Sequence, residues 1–342
     1  MKTPIRAKAV GLLLLLLPII AACRSETGQN QVIVYTSVDQ VFSEPILKRF
    51  EEESGIEVLV VYDVEAAKTT GLVNRLIAEM KAPRADVWWN SEIIQTLVLK
   101  EKVVLASYAS PQAESIPAIY RDPDGYWAGF AGRARVILVN TDLVANPDRI
   151  HSIYDLLNSN WDGELIGMAN PLFGTTATHA ASLYAYLGPQ LAREYYEGLI
   201  AHGVRVVDGN SVVRDLVANG TLAFGITDTD DACGAWARGD PVAINFPDQD
   251  DIGTLVIPTT VAQINEAPHP EQARMLIDYL LSARVERMLV EAGFSHIPIH
   301  PDVEVTDTCI STQNIRGMAI DYTQIYGFMP LMQTDLREIF LR

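Results

Sequence analysis

Cysteine is scarce in this chain: of 342 residues only three are cysteine, at 23, 233 and 309. None stands in a CxxC pair or in a Cys/His spacing typical of zinc modules, so a local zinc ribbon or finger is not encoded. Positive charge is short as well, with 26 Lys and Arg against 43 Asp and Glu and a formal net charge of -17. Nucleic-acid binding needs a basic footprint that displaces counterions, and this balance argues against it. Long apolar runs are missing except at 10–20, which is too short to span a bilayer stably. There are no internal repeats and no low-complexity tract beyond the leader. Nucleophile-elbow, HExxH and ordered Ser/His/Asp signatures are also lacking. The expectation is a binding protein and not an enzyme.

What is present begins with a leader. Lys2, Arg6 and Lys8 form a positive n-region ahead of the apolar run, and small residues lead directly into Cys23. This arrangement resembles a lipobox, in which Cys23 becomes the lipidated first residue of an exported chain anchored at a membrane surface. Residues 24–30 read as a polar tether. Cys233 and Cys309 are then left, and export makes a bond between them chemically possible, although sequence alone does not pair them.

From residue 31 the pattern is βαβαβ. Strands are expected at 31–35, 56–62 and 85–89. A helix capped at Ser43 and stopped by Gly55, and a second helix at 70–80, lie between them. Polar residues follow each strand, including Thr36 to Gln40 and Asn90 to Glu92. Loops after parallel strands gather at one sheet edge, where open α/β folds seat ligands. A composition shift at 106–125 precedes a strand at 136–139, after which the rhythm restarts: strand 166–169, loop 170–176, helices 177–187 and 191–201, strand 204–207, helix 212–218. An apolar run at 222–226 then breaks into Asp228, Asp230 and Asp231. A return strand at 253–258 and helices at 271–282 and 285–292 lead to an α-rich tail. The expected organisation is one lobe from 31–131 and 255–300, a second from 132–254, and a helical tail at 301–342. A cleft would lie between the hinged lobes.

The acidic cluster suits a hard cation or an ammonium group. Its DxDD spacing lacks the glycine and terminal glutamate of an EF-hand. With Val34 to Ser37, the segment 53–58, Pro83 to Trp89, Gly132 to Val136 and the helix at 273–282, the chain resembles the extracellular solute-binding proteins of ABC importers, and most of all their ferric-ion-binding branch. The resemblance implies a two-lobed α/β fold of the type II periplasmic-binding-protein kind. Each lobe would be built on a mixed, mostly parallel sheet. It also implies delivery of the guest to a permease with its ATPase, and a monomeric receptor.

Carried over by position, the resemblance puts metal ligands at Asp39 and Glu92, to which the chemistry of the acidic cluster adds Asp228, Asp230 and Asp231. It puts anion or ligand contacts at Tyr35, Thr36, Ser37, Arg133, Arg135, Gly174, Thr175 and Thr176. The guest is expected to be Fe³⁺ with a synergistic anion, while Fe²⁺, Mn²⁺ and Ca²⁺ stay open. Where the branch usually has adjacent tyrosines, this chain has Thr229, Asp230 and Asp231; Tyr195 and Tyr196 come too early and read as packing. Carboxylates without phenolates equally suit an amine or aminophosphonate, with Trp88, Trp89 or Trp127 as a cation–π wall. His179 and the segment 247–249 are weaker candidates for the cleft.

Overall fold

A computed structural model describes residues 30–63, 70–304, 309–310 and 315–341. Cys23 and the leader lie outside the described residues. The first strand, β1 (Gln31–Thr36), pairs in parallel with β2 (Glu57–Tyr62) and β3 (Val87–Asn90). Helices α1 (Gln40–Ser54), α2 (Thr70–Glu79) and α3 (Ile94–Glu101) follow the three strands in turn. Helix α1 starts three residues ahead of the Ser43 cap read from sequence. Asp39 takes the cap position, and the Ser43 hydroxyl instead donates within the turn to the carbonyls of Val38 and Asp39. Gly55 does end α1 as expected: it sits at φ 69°, and its N–H returns to the Glu51 carbonyl.

The chain then enters a short β4 (Leu105–Ala106) and the long β5 (Ala128–Asn140), every residue of which is buried. The second half holds β6 (Ile166–Ala169), α4 (Gly174–Leu187), α5 (Pro189–His202), β7 (Arg205–Val207), α6 (Asn210–Ala218), β8 (Phe224–Asp228), α7 (Thr229–Ala237) and β9 (Val242–Asn245). Strand β10 (Val256–Ile264) returns to β3 and is followed by α8 (Pro270–Leu280), α9 (Ala283–Glu291) and α10 (Tyr322–Phe340).

The strand order is β2-β1-β3-β10-β5-β8-β6-β7, with β4 beside β10 and β9 beside β5. Strand β5 decides the architecture. Its first half, Ala128 to Ala134, pairs antiparallel with β10, and its second half, Arg135 to Asn140, pairs antiparallel with β8 and β9. One strand thereby belongs to both halves of the molecule, and two lobes result. The register shifts between Ile257 and Thr259 opposite a β5 residue, Ala131, that adopts φ 50°. Such bulges re-aim a strand where it changes partners. Gly132 follows because a Cβ there would meet the Ile297 carbonyl oxygen at 2.7 Å.

Trp88 and Trp89 are fully buried. The Trp88 indole N–H donates to Thr96, and Trp89 stacks near Phe130 with ring centroids 6.1 Å apart. Alternation along β3 directs them into the cores on its two sides, so they brace the sheet and do not wall a ligand. Among the described residues no helix is long and apolar enough to cross a membrane.

Candidate functional site

The seam between the lobes is built on one side from the chain after β1 and β3. The Ser37 hydroxyl donates to Asn90 Oδ1 at 2.6 Å, and the Ser91 N–H donates to Ser37 Oγ at 2.9 Å, locking the two loops together. Thr36 is buried and its hydroxyl accepts from the Val38 N–H. Glu92 is turned inward over the start of α3, where Oε2 accepts from Ile94 N–H at 2.6 Å and Oε1 from Gln95 N–H at 2.9 Å. Burial pushes its carboxyl up, against the pull of those N–H groups and of Arg133. Asp39 is exposed at the head of α1. The Tyr35 hydroxyl points away to Glu79, at 3.0 Å.

On the other side, β8 delivers Asp228 and α7 delivers Asp230 and Asp231. Each of these acids meets an arginine. Arg135 Nη1 lies 2.6 Å from Asp228 Oδ1, while Thr175 Oγ1 and Asn210 Nδ2 donate to Oδ2 at 2.6 and 3.0 Å. Both oxygens of Asp228 are therefore engaged inside one lobe, tying the first turns of α4 and α6 to β5. Burial alone would push its carboxyl up, but Arg135 and Arg133 together bring it below the usual value. Asp231 pairs with Arg214 at 2.9 Å. Even so, its carboxyl is pushed up to about 7 by burial and by the charges of Asp230 and Asp228.

Arg133 is the group that reaches both lobes. Its Nη2 donates to the Ser91 carbonyl at 2.7 Å, and its Nη1 lies 3.1 Å from Asp230 Oδ2. Its Nε, the Nε and Nη2 of Arg135, and Asp230 Oδ1 are buried without a hydrogen-bond partner among the described residues. A carboxylate oxygen and several guanidinium N–H groups are thus left without partners around the junction of the lobes. This pairing suits a guest of mixed charge, either a cation bearing its own oxyanion or a zwitterion.

Gly174, Thr175 and Thr176 form the first turn of α4, where the sequence suggested a loop. Exposed Phe173 precedes them, and no side chain caps the helix, so its leading N–H groups and dipole present an anion-favouring end. His179 is buried one turn further on and is lowered to about 3 by burial and by Arg135. Tyr195 and Tyr196 are buried, with the Tyr195 hydroxyl on the Ile153 carbonyl, and they pack as the sequence suggested. Asp248 lies at a buried turn, accepting from Ser152.

The structure thus gathers Ser37, Ser91, Arg133 and Asp230 at one junction and places Asp228, Arg135 and Thr175 in an adjoining network. Sequence reasoning missed Ser91, Asn210, Arg214 and His296. Asn90 to Glu92 carried a signal for the first; Arg214 and His296 had none, because only the fold brings them to α7.

A model of the bacterial extracellular solute-binding proteins matches residues 31–295. The chain belongs to that family. Among its relatives, iron uptake protein A1 of Synechocystis is 24% identical over 279 residues, covering 78% of this chain and 76% of that one. The ferric binding protein from Campylobacter jejuni superposes with a TM-score of 0.82 at 23% identity, covering 90% of this chain and 99% of that structure. The Trichodesmium protein solved in complex with iron and citrate ligands gives 0.81 at 20% identity, covering 91% of this chain and all of that one. These likenesses establish the two-lobed periplasmic-binding-protein fold of the solute-binding family.

Proposed function

We propose that this solute-binding protein is the receptor of an ABC importer, tethered by lipid at Cys23, exported and monomeric. It captures ferric iron together with an oxyanion between its lobes and passes the pair to a permease. The observation that carries the reading is the Oδ1 of Asp230, left without a partner while its Oδ2 pairs with Arg133, at the point where Arg133 bridges the lobes. Asp230 would supply oxygen to the metal, with Asp231, Glu92 and Asp39 as further oxygen donors once the lobes adjust. Arg133, Arg135 and the first turn of α4 would hold the anion. The Asp231 carboxyl is raised first by burial and then by its acidic neighbours Asp230 and Asp228, so an added cation would relieve part of that cost. That the named relatives are iron-uptake and ferric-binding proteins supports the choice of metal.

A second reading keeps the transport role and makes the guest a small organic solute with an acidic group, such as an aminophosphonate. It is favoured by one feature: the Tyr35 and Tyr195 hydroxyls are both engaged elsewhere, so neither contributes a phenolate.

The two readings separate in a thermal-shift panel on chelated protein. Ferric citrate at about 100 times its dissociation constant should stabilise the fold by about 2.7 kcal/mol. Asp230→Asn, which keeps the shape and most hydrogen bonds, should remove that stabilisation while the ligand-free melt changes little. Stabilisation by an aminophosphonate in metal-free buffer, with none from iron, would transfer the assignment to the second reading. An unaltered response of Asp230→Asn to every guest would remove the site from the junction.

A further inference from the structure

Cys233 stands on α7, two residues beyond Asp231, and is bonded to Cys309, with Cα atoms 5.5 Å apart. The segment after α9 brings His296 against this bond. One ring nitrogen of His296 and the two sulfurs all lie within 4.8 Å of one another. His296 is only 5% exposed, and its Nδ1 has no hydrogen-bond partner among the described residues. The ring is held at that place by backbone: its own N–H and that of Ile297 donate to the Gly132 carbonyl. A buried imidazole with an unused nitrogen is costly unless something completes it.

We propose that Cys233, Cys309 and His296 form a zinc site that becomes available when the disulfide is reduced. It would be distinct from the oxygen-donor site at the lobe junction. The step balances as an exchange. An external dithiol is oxidised to its disulfide, the Cys233–Cys309 bond breaks, and two thiols form. Zinc then replaces both thiol protons, which leave to solvent, and the neutral imidazole supplies the third ligand. Zinc–sulfur bonds of about 2.3 Å and zinc–nitrogen bonds of about 2.1 Å place neighbouring ligand atoms roughly 3.5 Å apart. The sulfurs need only separate by roughly 1.5 Å from their bonded distance of about 2.05 Å, and the ring advance by about an ångström. A fourth position is left for water. Cys309 is half-buried, the more exposed of the two bonded cysteines.

The test uses the whole chain, reduced anaerobically with a phosphine and desalted. Cobalt(II) should then produce a thiolate-to-metal charge-transfer band and the visible bands of a tetrahedral site in the reduced chain and neither in the oxidised chain. One equivalent of zinc should slow alkylation of both thiols at least tenfold, and His296→Gln should abolish most of that protection. Alkylation at the same rate with and without zinc, or a cobalt spectrum without the thiolate band, would overturn the proposal. The alkylation arm needs no variant, so it decides the question even if His296→Gln fails to fold. Ferric citrate stabilisation of the oxidised chain reads the lobe junction separately, so either assignment can fail alone.

Discussion

Glu92 shows how a residue's position can be legible while its role is not. The sequence places it at the end of a strand facing a ligand edge; the fold turns it over the start of α3, where both carboxylate oxygens take backbone N–H groups. Glu92→Ala should therefore lower stability by about 1–3 kcal/mol in urea unfolding, because one buried and one part-buried backbone donor lose their acceptor. Loss of guest binding with stability intact would show that its place as a helix cap is secondary. The aspartates of the 228–231 segment had the same ambiguity. Their clustering was plain in the sequence, but their arginine partners come from β5 and from α6, and no spacing rule links Arg214 to Asp231. His179 gives the pH prediction at this scale. Its pKa falls from 6.5 to about 3 on folding, so the unfolded chain binds more protons between those values and stability must drop as pH falls through them. His179→Gln should flatten that acid-side loss in melts taken from pH 7 to pH 4. An unchanged slope would place the acid sensitivity elsewhere.

At the scale of elements, sequence periodicity found the parallel strands and most helices to within a few residues. It failed where packing, not pattern, decides. Only 136–139 of β5 read as a strand, because Ala128 to Arg135, apart from Phe130, are small or polar residues without alternation; their burial on both faces is what makes them strand. Helix α4 starts three residues early, since Gly174 accepts φ 54° and opens the turn. Strand β9 was not foreseen, having only four half-buried residues. Ala131 is the strained point of β5, a residue with a Cβ held at φ 50° while its N–H donates to Glu286 at 2.6 Å. That conformation costs roughly 1–2 kcal/mol for an L-residue. Ala131→Gly should be close to neutral or slightly stabilising. Ala131→Val should cost about 2 kcal/mol or more through branching at a fully buried bulge. Equal melting temperatures for the two variants would show that the bulge relaxes.

For the whole molecule, the βαβ rhythm and the composition shift made two lobes legible, and the family match fits them. The ties between distant parts were not legible. Helix α10 packs on α4, α5 and α3, so the tail touches helices of both lobes. Asp335 anchors it, accepting from Tyr184 and Arg193. The Cys233–Cys309 bond closes a loop across 76 residues of sequence. On the chain-entropy account such a loop contributes about 4 kcal/mol. Unfolding in urea with a reductant present should lose up to that amount, and a loss near zero would mean the crosslink constrains little.

Arg133 and Arg135 both stand on β5, which among the described residues pairs with strands of both halves. If one half swings against the other about that strand, points on it hardly travel. The guanidinium groups should accordingly keep their places whether the molecule gapes or shuts, while Ser91 and Asp230 ride the moving arms. On the proposed function, an oxyanion would then find its berth ready at first encounter, and only the oxygen donors proposed for the metal would wait on the swing.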